Sequence, residues 1–146
     1  MHRRLLTFDR MRRMGLANED QCPFCVVAIE SHEHLFFQCK YGMDCLQLVQ
    51  LKCGVCLPST DWEGWWRRTR FRSIIRKKVT GMMLCSLIYL IWWARNVCVQ
   101  DKIMLKPGWV VQKMRFMVAI RVRKRIPSVK HLRHEFWLRN VLGILL

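Results

Sequence analysis

Acidic residues are scarce in this chain. Ten Asp and Glu stand against 26 Lys and Arg, a formal net charge of +16 over 146 residues. The aspartates, at 9, 20, 44, 61 and 101, are scattered, and no Tyr-x-Asp-Asp pair of the kind that holds a polymerase's catalytic metals occurs. A Gly-rich phosphate loop and a Gly-x-Ser-x-Gly elbow are also missing, which removes the common nucleotide-hydrolysing and serine-hydrolase chemistries. The first residues, MHRRLLTFDRMRRMG, lack an apolar run of signal-peptide length and a small-residue cleavage site, so the expected location is intracellular, with the nucleus included, and not secreted. The longest uncharged run, VTGMMLCSLIYLIWWA over 79–94, has 16 residues, short of the roughly 20 that span a bilayer. It reads as a helix buried in protein. The flanking Lys77, Lys78 and Arg95 and the paired Trp92 and Trp93 are what a membrane-associated alternative would use.

What is present argues for a folded, basic, helical protein. Hydrophobic residues make up 52% of the chain, enough for one ordinary domain or a small module with a helical extension. The positive balance favours a polyanionic partner, nucleic acid before an anionic membrane surface. Eight cysteines in a reducing compartment point to metal rather than to disulfides.

The stretch CPFCVVAIESHEHLFFQC, residues 22–39, spaces Cys22, Cys25, His34 and Cys39 as C-x2-C-x8-H-x4-C. A tight turn through Pro23 and Phe24 presents two thiolates to one ion, and a His and a Cys on a following helix can complete a tetrahedron around zinc. Three Cys and one His leave no open position, so such a site holds shape rather than performs chemistry. Thiolates shared with a metal are also poor nucleophiles. Ser31 is placed to cap a helix beginning at His32, which favours His34 over the competing His32 as ligand. A second pair, Cys53 and Cys56, lies 27 residues or more beyond Cys25, longer than the usual interval of about 15 to 20, and reads as packed or free thiols, as does Cys45.

Around this knuckle the pattern is mainly α, a small zinc-knuckle module followed by basic helices with little or no sheet. Thr7 is a plausible N-cap for a short helix with Phe8, Met11 and Met14 on one face, and Gly15 ends it. Tyr41–Leu51 suggests a second helix with Met43, Leu46, Val49 and Gln50 along its stripe. Trp62, Trp65 and Trp66 precede a basic run containing Arg67, Arg68, Arg70, Arg72, Lys77 and Lys78. Aromatics beside cations can stack bases and bind phosphates, or can anchor a helix whose charges are merely solvated. Pro107-Gly108 reads as a turn. Trp109–Ile126 then resumes a helix with Val110, Met114, Met117 or Val118, and Val122 inward, and Lys113, Arg121, Arg123, Lys124 and Arg125 elsewhere. Pro127 stops it, and Ser128 can cap a last helix towards Val141. The expected division is a zinc module over 1–58 and a basic helical region over 59–146.

From Leu5 to Cys39 the sequence resembles the reverse-transcriptase zinc-binding domain of plant LINE-type (non-LTR) retrotransposons and proteins derived from them. The likeness rests on Leu6-Thr7, Asp9-Arg10 and Gly15, then the C-x2-C knuckle, then Glu30-Ser31 leading into His34-Leu35-Phe36 and Cys39. Further on, Ile91-Trp92-Trp93-Ala94-Arg95-Asn96 resembles an Ile-Trp-x-x-Arg-Asn signature of the same proteins. The resemblance implies zinc on Cys22, Cys25, His34 and Cys39, and a role in holding RNA or DNA beside a reverse transcriptase. Two family features are missing, an apolar Trp-containing segment ahead of the Leu-Thr helix and a Trp several residues beyond the last ligand, so an N-terminally truncated module is expected. The nucleic-acid contacts would fall on Arg67, Arg68, Arg70, Arg72, Lys77, Lys78, Arg121, Arg123, Lys124 and Arg125, as sequence-independent phosphate contacts. A non-catalytic, zinc-binding nucleic-acid module is the leading expectation. The alternatives are a vestigial or protein-interaction zinc domain and a membrane-associated basic protein.

Overall fold

The computed structural model describes residues 5–55, 57, 67, 69–71, 73–125 and 132–143, with the backbone alone at 125 and 132–134. Trp62, Trp65, Trp66, Arg68, Arg72, Pro127 and Ser128 lie outside them. Among the described residues no strand forms, and Gln21 and Ile29 make one isolated antiparallel bridge. The mainly helical expectation holds. The elements are α1 (Phe8–Arg13), a π-helical turn (His34–Gln38), α2 (Lys40–Cys53), α3 (Ile74–Asp101), α4 (Pro107–Arg125) and α5 (Leu132–Leu142).

The frame is the pair α3 and α4. Ser73 opens α3 by accepting the Arg76 N–H at 3.1 Å, and Lys102 closes it in the left-handed region at φ 58°. Along α3, Val79, Met83, Leu87, Leu90, Ile91 and Ala94 are buried at helical spacing. They meet Val110, Met114, Val118 and Val122 of α4, the stripe expected from the sequence with Val118 rather than Met117 as its third member. The turn expected at Pro107-Gly108 is instead the start of α4. Proline at a first helical position gives up an N–H that no helix bond needs, and its fixed φ suits the helix.

α3 runs 28 residues, well beyond the 16-residue uncharged run. By length and composition it is therefore long and apolar enough to cross a membrane, which corrects the length argument. Just over half of that apolar window, 56%, is buried against the rest of the protein.

α2 crosses α4 and carries a different inward stripe from the expected one. Tyr41, Cys45, Val49 and Cys53, each four residues from the last, are buried. Met43 is 51% exposed and Gln50 is exposed, while Leu46 is only partly covered. At Gly42 the helix touches the π turn so closely that a Cβ would sit 2.7 Å from the Leu35 carbonyl oxygen. α5 seats Leu138, Val141 and Leu142 on the same core. Arg115 of α4 donates to the Val141 carbonyl at 3.0 Å, taking up an end that α5 cannot satisfy itself. One continuous apolar cluster runs from Cys22 to Leu142, with members on both sides of position 58.

Candidate metal centre

The knuckle is folded by backbone bonds around a tight hairpin. The Cys22 N–H donates to the Ala28 carbonyl at 2.8 Å, the Val26 N–H to the Cys22 carbonyl at 2.9 Å, and the Glu30 N–H to the Asp20 carbonyl at 2.7 Å. Val26 adopts φ 57°, a conformation a β-branched residue rarely takes, and here it turns the chain back beyond Cys25. Ser31 then accepts the His34 N–H at 3.0 Å, the cap expected from the sequence, and places the His34 ring at the start of a helical turn.

Residues five apart on an α-helix point about 140° away from each other. A π turn closes with an i→i+5 bond and brings that interval back to nearly one full turn. Here the Cys39 N–H donates to the His34 carbonyl at 2.6 Å, so the Cys39 and His34 side chains reach the same point.

The result is a compact donor set. The Sγ atoms of Cys22, Cys25 and Cys39 and a ring nitrogen of His34 all lie within 4.8 Å of one another. Cys22 Sγ and Cys39 Sγ are 3.8 Å apart. That equals the edge of a tetrahedron with metal–sulfur bonds of about 2.3 Å, roughly 3.8 Å. Cys25 Sγ lies 3.3 Å from His34 Nε2, also a tetrahedral edge in scale. The residues fit a four-coordinate metal ion of soft, borderline character.

The electrostatics agree. The hydrogen bond between the Cys22 and Cys39 thiols, with burial, holds the Cys22 thiol well above its usual range, and the same bond pulls Cys39 below its own. A bound metal cation would take the place of the protons on these sulfurs. His32 is not in this set. It lines a small polar recess with Asp9, Arg10, Arg13, Ser31 and Glu33.

A buried ion pair supports the knuckle from outside. Arg95 Nε donates to Glu30 Oε1 at 2.8 Å and Nη2 to Glu30 Oε2 at 2.7 Å, with both side chains almost fully buried. Glu30 also takes the first N–H groups of α1: Phe8 N–H on Oε2 at 2.7 Å and Asp9 N–H on its carbonyl at 3.2 Å. Thr7, expected to cap with its side chain, donates its hydroxyl to Asp9 Oδ1 at 2.6 Å instead. The Arg95 guanidinium lies 4.5 Å from the Phe8 ring centroid and 5.0 Å from that of Trp92. The packing face expected on α1 is correspondingly thin: none of its residues is fully buried, and Met14 is 55% exposed.

Tyr41 and Cys98 complete the attachment. The Tyr41 hydroxyl donates to the Leu105 carbonyl at 2.8 Å, its ring stacks on Phe24 at 3.9 Å, and the Cys98 thiol reaches the Pro23 carbonyl at 3.5 Å. Glu30 and Arg95 fall in two separate sequence signatures that local spacing does not join. A lone arginine ending an uncharged helical run was the signal.

Of the expected phosphate-binding residues, Arg67, Arg70, Lys77, Lys78, Arg121, Arg123 and Lys124 are exposed. α4 runs back along α3, as the Trp93–Trp109 stack and the Arg121–Ser86 contact require, so Arg121, Arg123 and Lys124 lie towards the end of α3 that carries Lys77 and Lys78. They form one basic end of the helical pair, outside the ligand set. Cys45 and Cys53 are buried in the core and are not among the clustered ligands.

Residues 1–45 match the family described as zinc-binding in reverse transcriptase. The reverse-transcriptase zinc-binding match contains all four clustered ligands and Glu30, and it ends within α2. Comparison with curated proteins and with solved structures finds no match.

Proposed function

We propose that this protein is a zinc-stabilised, non-catalytic nucleic-acid-binding module derived from a non-LTR retrotransposon reverse transcriptase of the plant LINE type, working inside the cell, the nucleus included, and not on a membrane. The observation that carries the reading is a closed Cys3His cluster lying inside the residues that match a reverse-transcriptase zinc-binding family.

Cys22, Cys25, His34 and Cys39 would hold the ion, which when bound supplies a fixed tetrahedral cross-link and no free coordination position. The Cys22, Cys25 and Cys39 thiols would give up their protons to hold the ion, Ser31 fixes the start of the turn that carries His34, and Glu30 ties the knuckle to α1 and α3. The exposed basic residues at the start of α3 and the end of α4 then meet phosphates without reading sequence, beside a reverse transcriptase as the natural partner.

The test is zinc quantification on purified protein joined to a salt series of RNA and DNA binding. One zinc per chain, lost in Cys22→Ser, with affinity falling steeply as salt rises, is the expected result. A metal-free preparation sinks the site assignment. Binding that ignores salt, or no binding at low salt, sinks the nucleic-acid reading.

A further inference from the structure

The outward side of the α3/α4 pair carries aromatic surface that the core does not use. Tyr89 and Trp93 of α3 are 56% and 38% exposed, and Trp109, Phe116 and Ile120 of α4 are 42%, 54% and 38% exposed. Helical spacing places each group on one stripe of its helix. The Trp93 and Trp109 rings stack across the seam at 5.5 Å between centroids and 27° between planes, joining the two stripes into one ridge. Lys113 stands within it, its ammonium 5.9 Å from the Phe116 ring, and Arg123 and Lys124 continue the same stripe at its far end. α4 contains no acidic residue, and Asp101 is the only acid between Glu63 and Glu135 in the sequence.

The chemistry of this ridge selects its occupant. An apolar protein surface laid over it would bury Lys113 without a counter-charge, which is costly, and lysine is depleted from the centres of protein interfaces for that reason. A polyanion brings the counter-charge with it. A duplex offers phosphates but keeps its base faces stacked inside, leaving the rings without partners. A single strand offers both, phosphates to the cations and base faces to the rings, and alternation of aromatic and cationic side chains is the pattern that binds it without reading sequence.

We infer that the ridge is a binding face for single-stranded nucleic acid, with bases stacked on Trp93, Trp109 and Phe116 and the backbone held by Lys113 and the cations at the end of α4. The inference rests on the nucleic-acid reading above and narrows it to single strands and to a face outside the metal ligands.

The experiment measures fluorescence anisotropy of the zinc-loaded full chain with a labelled oligo(dT), a labelled oligo(U) and a duplex of equal length. In the variant Trp109→Ala/Phe116→Ala, affinity for both single strands should fall about ten-fold or more, the scale of lost base–aromatic stacking. Duplex affinity should change less than two-fold, and Trp109→Phe should retain most single-strand binding. Lys113→Gln should flatten the salt dependence for single strands by a slope of about 0.7. Thermal midpoint and helical signal serve as folding controls, and if the double variant fails them, Lys113→Gln and Trp109→Phe carry the test.

Unchanged single-strand affinity in a folded double variant overturns the ridge and leaves the nucleic-acid reading standing. Equal losses for duplex and single strand also overturn it. No binding of any oligonucleotide by the wild-type chain overturns both. Flotation with anionic vesicles, or self-association lost in the double variant, overturns the ridge as a nucleic-acid face when oligonucleotide binding does not change with it.

Discussion

Between Asp20 and Cys39 the chain buries only three large apolar side chains, Phe24, Leu35 and Phe36, beside the metal-ligating residues and Glu30, while Val26, Val27 and Ile29 are 63%, 87% and 58% exposed. Between Ile74 and Arg125 the reverse holds, with two helices closing on a stripe of valine, leucine, isoleucine and methionine. A segment that short cannot bury enough surface to offset its chain entropy, so cross-linking through ligands must do so, whereas the helical pair is held by burial. The two regions share one buried ion pair, Glu30 with Arg95, beside the Cys98–Pro23 contact and the continuous apolar cluster.

Metal removal should break that comparison most strongly, because structural zinc contributes about 10 kcal/mol or more to small modules. Chelation, or Cys22→Ser, should abolish NMR dispersion for residues 20–39 while most of the far-UV helical signal of α3 and α4 persists. Collapse of the entire helical signal with the metal would show that the two regions fold as one unit.

Cutting the link comes next. Glu30→Gln leaves Arg95 buried without its counter-charge and should cost about 3–5 kcal/mol in a denaturant titration of the zinc-loaded protein. Adding Arg95→Met to it should recover part of that loss, since no charge then remains stranded. If the single change costs less than about 1 kcal/mol, the pair is not the joint between the regions.

A pH titration should sharpen the contribution of α2. Burial pushes the Cys45 thiol up from 9.0 to about 12, and Cys53 and Tyr41 are raised in the same direction by the same cause. Above pH 9 the unfolded chain loses a proton that folded Cys45 keeps until about pH 12. The unfolded state then binds fewer protons, so stability falls as pH rises through this window, by at most about 1.4 kcal/mol per pH unit for one group. Cys45→Ala should make the slope shallower without removing it. An unchanged slope would place the alkaline loss elsewhere.

The smallest effect is expected at the cap. Ser31→Ala should cost about 1 kcal/mol and weaken metal binding modestly, read by competition with a chromogenic chelator. A larger loss of metal affinity than of stability would mean that Ser31 acts chiefly by aiming His34.

Much of this was legible because it depends on local spacing. The Cys22, Cys25, His34 and Cys39 intervals, the Ser31 cap and the inward stripe of α4 are each set within a few residues. What escaped depends on partners far along the chain. α1 is capped by Glu30, 22 residues away in sequence, rather than by its neighbour Thr7. On α2, Cys45 and Cys53 read as packed or free thiols, and they are packed with Tyr41 and Val49 as small apolar residues; what escaped is that they belong to the inward stripe while Met43 faces water. Pro107 read as a breaker because its sequence neighbourhood cannot tell a helix start from a turn. The stacked Trp93 and Trp109 lie on different helices, and no periodicity joins them.

The π turn fixes how the ligand interval can change length. Losing one residue between Leu35 and Gln38 would leave a four-residue step from the histidine to the last cysteine, which an ordinary α turn already places on one face. The donor set could then re-form by rewinding. Gaining one residue makes a six-residue step, which an α-helix leaves about 120° apart and a 3₁₀-helix carries about 12 Å along its axis, too far for one ion. Insertion and deletion at this point are therefore unequal events, and a library of length variants should retain metal on the short side and lose it on the long one.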